Sequence, residues 1–428
     1  MRYAPINAAL FTANRARLAK LMLKNSLAVL NANDIPPTNA DGSLGLRQNA
    51  DLFYLSGIDQ EESILLLYPD ALDEKHREIL FVRKTDELLA TWEGHKLTKE
   101  EATKVSGVKT VMWLGEFPRM FRALMCDCEN VYLNSNEHKR ASIEVETRDM
   151  RFVKECQRMF PLHHYHRLAR LMHELRIVKT ALEIELIRKA CSITKAGFMR
   201  VLKYVKPGVN ETEIEAEFAH EFIRRGGGFA YTPIIGSGKN NNVLHYIEND
   251  KVCKKGSLLL LDVASSYANY QSDLTRTLPV SGRFSRRQKQ VYNAVLRVMR
   301  GTAKLMAPGK LMLDVQKGAE QMMEEELLAL GLLKRSDIKK QDPERPALKK
   351  YFMHGVGHPM GLDVHDVGYT ARPIAPGWVL TCEPGIYIPE EGFGIRLEND
   401  ILVTEESPLD LMADIPVEAE EIEALMRR

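Results

Sequence analysis

At 428 residues the chain exceeds the roughly 100–200 residues of a usual domain, so two domains are expected. Hydrophobic residues make up 45% and charged residues 27%, the balance of a globular protein and not of a disordered or fibrous one. A formal net charge of +1 gives no long-range field for nucleic acid or an anionic membrane, and neither is expected as a partner.

Residues 11–24 (FTANRARLAKLMLK) set Leu18, Leu21 and Met22 at helical spacing. The segments NSLAVLNAN, LFYLSG, SILLLYP and EILFVRK then read as strands, and their alternation with helices predicts an α/β domain over residues 1–172. Arg15, Arg17 and Lys20 interrupt the first apolar stretch, so no signal peptide is read, and no apolar run reaches the ~18 residues of a membrane span. The six cysteines, Cys126, Cys128, Cys156, Cys191, Cys253 and Cys382, are scattered without a CxxC, the pattern of reduced thiols in a cytoplasmic protein. Thr180 with Glu183 forms a capping-box pattern that opens a new helix. The domain boundary is placed near residue 173. Residues 173–428 then alternate helices (180–205, 211–226, 285–307 and 312–331) with hairpins, an α+β pattern.

Two hairpins carry the acidic residues of interest. In residues 256–280, an apolar run ends at Asp262 and Asp273 stands symmetrically across a tip expected at Tyr267 and Ala268. Opposed residues have Cβ atoms about 4.5–5.5 Å apart and diagonal ones about 7–8 Å, so in either register both carboxylates reach a common site. Residues 378–403 repeat the form, with Glu383 and Glu398 symmetric about Glu390 and Glu391. One carboxylate on a strand reads as merely solvated, whereas four at matched hairpin positions point to a shared site. Between the hairpins, His354, His358 and His365 are interleaved with Gly355, Gly357, Gly361 and Gly368, and glycine permits close backbone approach. The spacing differs from the HExxH of helical zinc proteases, and the residues alone leave open which histidine takes metal. Four carboxylates and an imidazole cannot be buried together cheaply without cations. Two divalent ions balance the four charges.

The segments LLLDVASSYANYQSDLTRT, HGVGHPMGLDVHDVG, TCEPGIY and GIRLEND resemble the pita-bread metallopeptidases, which include methionine aminopeptidase, aminopeptidase P and prolidase. The resemblance implies an α+β protein whose C-terminal domain has the pita-bread (creatinase/aminopeptidase) fold, with Asp262, Asp273, His358, Glu383 and Glu398 as the ligands of two divalent metals. Residues 47–63 (RQNADLFYLSGIDQEES) resemble the N-terminal domain of aminopeptidase P and prolidase, which methionine aminopeptidase lacks. This implies hydrolysis of the X-Pro bond, releasing the first residue of peptides with proline second. Such a bond is a tertiary amide with no N–H and a fixed φ, so it needs a dedicated site.

By the same resemblance His245 and His365 face the substrate and stabilise the tetrahedral intermediate, while His354 shapes the pocket. Glu383 shuttles a proton, Arg396 and Tyr231 orient the carboxylates, and Arg372 contacts the substrate backbone. Trp92 is implied to reach the active-site rim of a neighbouring subunit, which makes the protein a homo-oligomer, a dimer or tetramer. Blander readings stand beside these: a backbone-bonded buried histidine for His354, an exposed loop arginine for Arg372 and a partly exposed tryptophan for Trp92. The resemblance and the oxygen-rich donor set favour Mn²⁺, with Co²⁺, Zn²⁺ and Fe²⁺ as other occupants. The alternatives are a prolidase acting on X-Pro dipeptides and a metal-free pita-bread binding module, and retention of all five ligands speaks against the latter.

Overall fold

The structure, a computed structural model, describes residues 3–135 and 137–427. The chain divides into two compact units, Tyr3–Leu175 and a second running from Arg176 to the C-terminus.

The first unit is built on a six-stranded mixed sheet. Its strands are β1 (Ser26–Asn31), β2 (Ile64–Leu67), β3 (Glu78–Val82), β4 (Thr110–Trp113), β5 (Asn130–Leu133) and β6 (His164–Arg167), in the spatial order β4-β3-β2-β1-β5-β6. The pairs β1/β2 and β2/β3 are antiparallel; β3/β4, β1/β5 and β5/β6 are parallel. The helices are α1 (Ala9–Leu21), α2 (Ala50–Ser56), α3 (Glu87–Glu93), α4 (Lys99–Ser106), α5 (Phe117–Asp127), α6 (Arg148–Met159) and α7 (Ala169–Arg176). Leu27, Val29, Phe81, Phe117, Phe121 and Phe152 interlock in its core. One sequence expectation is corrected here: LFYLSG is not a strand but most of α2. Asn49 caps that helix by accepting from the amides of Asp51 and Leu52, and Gly57 ends it in the left-handed region at φ 66°. Residues 51–56 are buried all round, which removes the periodicity that would have marked a helix.

The second unit opens with α8 (Ala181–Tyr204), capped by Thr180 and Glu183 in the expected reciprocal box, followed by α9 (Glu211–Arg224). Strands β7 (Gly228–Phe229), β8 (Ile234–Ser237), β9 (Leu258–Asp262), β10 (Ser265–Tyr267), β11 (Tyr270–Gln271) and β12 (Thr275–Pro279) come next. Then follow α10 (Arg286–Leu305), α11 (Met312–Ala329) and the short α12 (Arg335–Lys339). The last strands are β13 (Val379–Cys382), β14 (Gly385–Ile388), β15 (Phe393–Arg396), β16 (Asn399–Val403) and β17 (Pro408–Asp410), and α13 (Ala419–Leu425) closes the chain. The strands form small antiparallel sheets, β8-β9-β12, β7-β10-β11, β13-β16-β17 and β14-β15. Helices α8 and α9 pack together against the first half of this assembly; α10 packs against the second and α11 against α10.

Both hairpins exist, and their registers differ in an informative way. In the first, Asp262 pairs with Thr275 and Tyr267 with Tyr270, so the tip is Ala268-Asn269 and not Tyr267-Ala268. Both tip residues have positive φ, 50° and 64°, as a two-residue type I′ turn requires. The shift places Asp273 diagonal to Asp262, and because it moves the register by two residues both remain on one face. In the second hairpin Cys382 pairs with Asn399 and Gly385 with Arg396, so the register is continuous and Glu383 stands opposite Glu398 as expected.

Candidate metal centre

The ladders run on through the acidic residues: the Leu397 N–H donates to Pro384 O at 3.3 Å and the Val263 N–H to Leu274 O at 3.0 Å, so Glu383, Glu398 and Asp273 stand at non-hydrogen-bonded positions whose amides face away from the partner strand. Pro384 has no amide to donate. The Glu383 N–H turns to the Val356 carbonyl at 2.9 Å, and the Glu398 N–H crosses to Thr275 O at 3.1 Å. In the first hairpin the Asp273 N–H, facing out of the ladder, donates to Asp400 Oδ2 at 3.1 Å. These outward-facing amides bind the two hairpins and the histidine segment into one unit around a common point.

The histidine segment is pinned against β13. His358 N donates to Thr381 Oγ1 at 3.1 Å, and Thr381 N donates to His358 O at 2.9 Å. The approach is so close that a Cβ on Gly357 would lie 2.0 Å from Thr381 O. His358 Nδ1 lies 3.0 Å from the Pro359 carbonyl, which can only accept, so Nδ1 carries the proton and Nε2 offers a lone pair. That Nε2 is 3.6 Å from Asp273 Oδ2 and 3.7 Å from Glu383 Oε1. Donor atoms of Asp273, His358 and Glu398 all lie within 4.8 Å of one another.

Asp262 joins through Tyr231, whose hydroxyl is 2.6 Å from both Asp262 Oδ1 and Asp273 Oδ1. One hydroxyl hydrogen cannot serve two ionised carboxylates, so the second contact demands a proton on one of them or a cation close by. Asp273 and Glu398 are both held well above the usual carboxylate range, first by burial and then by neighbouring carboxylates. The Tyr231 phenol is likewise pushed well up by burial and the adjacent Asp262 and Asp273. The site thus gathers more negative charge than the Arg396 guanidinium balances. Divalent cations fit this donor set of four carboxylates and one imidazole lone pair.

Arg396 donates from Nη2 to Asp262 Oδ2 at 2.6 Å, from Nε to Thr275 Oγ1 at 3.2 Å and from Nη1 to Tyr387 OH at 2.8 Å. Thr275 passes the contact on, donating to Glu398 Oε2 at 2.6 Å. His354 Nδ1 lies 2.7 Å from the Gly355 carbonyl, and its Nε2 is 2.9 Å from Tyr387 OH. Burial, then the charge of Arg396, lowers the His354 pKa to about 4. A neutral His354 therefore donates to Gly355 and accepts from Tyr387. His365 packs edge-on to His358 with ring centroids 4.3 Å apart.

The structure thus brings together Asp262, Asp273, His358, Glu383, Glu398, Tyr231, Arg396, His354 and His365. His245 is exposed on the segment after β8, close enough to His354 for their charges to interact. Arg372 is exposed and stacks on the Tyr369 ring at 4.9 Å. Trp92 belongs to α3 of the first unit and is 81% exposed. Sequence reasoning missed Thr275, Tyr387 and Asp400. Thr275 was within reach of it: it follows Asp273 by two residues and so shares its face.

The sequence profile of metallopeptidase family M24 matches residues 185–405, and that of the aminopeptidase P N-terminal domain matches residues 11–132. The chain belongs to metallopeptidase family M24. The Xaa-Pro aminopeptidase of Escherichia coli K12 is 34% identical, with 97% of each chain covered. Among solved structures of the family, Pseudomonas aeruginosa aminopeptidase PepP matches with a TM-score of 0.88 at 30% identity, covering 100% of this chain and 99% of that one. An Escherichia coli aminopeptidase P variant in complex with substrate matches with a TM-score of 0.87 at 32% identity, covering 99% of each chain. The pita-bread fold expected for the C-terminal domain, preceded by an α/β domain, is therefore the fold of this chain, and as an M24 member it is a metal-dependent hydrolase. No described helix is long and apolar enough to cross a membrane.

Proposed function

We propose that this protein is an aminopeptidase that hydrolyses the X-Pro bond and releases the N-terminal residue of peptides with proline second. The observation that carries the reading is the convergence of four carboxylates and the His358 lone pair, inside a chain matched from end to end by Xaa-Pro aminopeptidases. Asp262, Asp273, His358, Glu383 and Glu398 are the residues that would hold two divalent ions, with Mn²⁺ the favoured metal. When bound, such ions supply hydroxide near neutral pH and stabilise negative charge on a carbonyl oxygen.

The protein's own groups have separate tasks. Pro359 O holds His358 in the tautomer that leaves Nε2 available. Arg396, tied to Asp262 and through Thr275 to Glu398, keeps two carboxylates from rotating away. Glu383 has a side chain 22% exposed, against 7% for Asp273, and it carries a proton from the attacking hydroxide to the leaving imino nitrogen. His365 and His245 donate to the oxyanion of the tetrahedral intermediate, while His354, neutral and bonded to Tyr387, supports the wall of the pocket. Arg372 contacts the substrate backbone. Trp92 serves the rim of a neighbouring subunit's site, so the enzyme acts as a homo-oligomer, in the cytoplasm.

Cleavage of Arg-Pro-Pro set against Gly-Pro, each with Mn²⁺ added, tests the reading. Release of arginine from the tripeptide is expected. Activity on the dipeptide alone would replace it with a prolidase, and a metal-free protein inert with Mn²⁺ would replace it with a binding module.

A further inference from the structure

A second charged cluster lies behind the histidine segment, apart from the five donors. Asp366 is almost fully buried, its side chain 1% exposed. Its Oδ1 accepts from Arg176 Nη2 and, at 2.9 Å, from the Val367 amide; its Oδ2 accepts from Lys179 Nζ at 3.1 Å. Arg176 and Lys179 are just as inaccessible, with side chains 4% and 1% exposed, and Arg176 also reaches Asp363 Oδ2 at 2.8 Å. Two buried cations around one buried carboxylate are costly unless the geometry repays them. The surrounding chain is shaped to make that geometry. A Cβ on Gly361 would lie 2.3 Å from Asp366 Oδ2 and 2.8 Å from Lys179 Cε.

The cluster also fixes backbone. The Asp366 amide donates to Pro359 O at 2.9 Å, closing a loop over residues 359–366, and the Lys179 amide donates to Gly377 O at 2.8 Å. Pro359 O is the same carbonyl that faces His358 Nδ1. His365, adjacent to Asp366, lies edge-on against the His358 ring. The orientation of His365 therefore depends on where Asp366 is held.

We propose that Arg176 and Lys179 are positioning residues: through Asp366 they set the orientation of His365 against His358, and so the placement of an oxyanion donor for catalysis. The catalytic half of this inference rests on the peptidase reading above; the orientation half does not.

The test is a double-mutant cycle on the full-length protein. Lys179→Met and His365→Ala are made singly and together, and kcat and KM are measured on Arg-Pro-Pro with Mn²⁺. Mn²⁺ stoichiometry is followed by calorimetry. His365 is followed by NMR of ¹³C-histidine-labelled protein, its signal assigned by its absence from His365→Ala. Lys179→Met is expected to lower kcat at least about tenfold with KM changed less than about threefold, since the lost interaction acts in the transition state. In the His365→Ala background the same change should cost less than about twofold, because the two act as a unit. The His365 signal should shift in Lys179→Met while Mn²⁺ stoichiometry is unchanged. Additive effects on kcat with an unmoved His365 signal would overturn the proposal. A shifted signal in a protein that cleaves neither peptide would retain the orientation role and reject the peptidase reading. Asp366→Asn, with a similar volume and no charge, repeats the NMR and kinetic measurements if Lys179→Met does not fold, with the same criteria.

Discussion

Thr275→Val is the sharpest probe of the metal centre, because valine reproduces the shape of threonine and removes only the hydroxyl. Thr275 is fully buried, so no water replaces the lost group. Its Oγ1 makes two contacts with charged partners: it donates to Glu398 Oε2 at 2.6 Å and accepts from Arg396 Nε at 3.2 Å. A hydrogen bond to a charged group contributes about 1.5–3 kcal/mol, which at 1.4 kcal/mol per decade is roughly 10- to 150-fold in an equilibrium constant. The Thr275 contact also favours the ionised form of Glu398, so its loss leaves that carboxyl further above its usual range and less ready to bind a cation. Mn²⁺ binding is therefore expected to weaken by about 10- to 100-fold, the scale typical of groups that orient metal ligands. Isothermal titration of the chelator-treated protein with Mn²⁺ measures this, and near-UV circular dichroism checks that the core is intact. An affinity within about twofold of the parent would show that Thr275 does not link Arg396 to the metal ligands, and the chain of contacts traced from Asp262 to Glu398 would lose its functional meaning.

Removing a whole carboxylate should act more severely: Asp273→Ala or Glu398→Ala is expected to abolish peptide hydrolysis, and retention of more than a small fraction of kcat would count against a site shared by two ions. The metal-free protein should show a particular pH dependence. Asp273 is raised by burial and by Asp262, and Glu398 by burial and by Asp273, so above about pH 4 the native state binds more protons than the unfolded chain, and stability falls as pH rises. Scanning calorimetry in chelator should find the midpoint dropping between about pH 5 and about pH 7. Glu398→Gln should flatten the slope and Mn²⁺ should reverse it; a midpoint that rises with pH in parent and variant alike would contradict the assignment. Gly357→Ala forces a Cβ to 2.0 Å from a backbone oxygen, and overpacking of this kind costs about 1–3 kcal/mol. Urea unfolding should show that loss together with weakened Mn²⁺ binding, because the same contact seats His358; an unchanged midpoint would mean the segment can shift without cost.

Much of the site was legible because its residues sit on local, patterned elements. The glutamate hairpin could be folded on paper about Glu390 and Glu391, and the structure keeps that register throughout. The aspartate hairpin was misjudged by one position at its tip, since a strand-like Ala268 gives no sign that it will take φ 50° beside Asn269. LFYLSG was misread because complete burial erased its helical period, although Asn49 and Gly57 were present as boundary signals. The rest was hidden by distance along the chain. Arg396 reaches Asp262 across 134 positions and Arg176 reaches Asp366 across 190, and no local pattern encodes such pairings.

The outward-facing amides of Glu383 and Glu398 have a consequence for motion. When a hairpin frays from its tip, the amides at hydrogen-bonded positions are released as their rungs open. Here the Glu383 amide is held by Val356 and that of Glu398 by Thr275, on two separate segments. Opening the β14–β15 tip therefore frees neither. Their hydrogen exchange should follow the concerted opening of the whole second unit, which makes these two proposed ligands among its last positions to exchange while the nearby tip at Glu390 and Glu391 exchanges early.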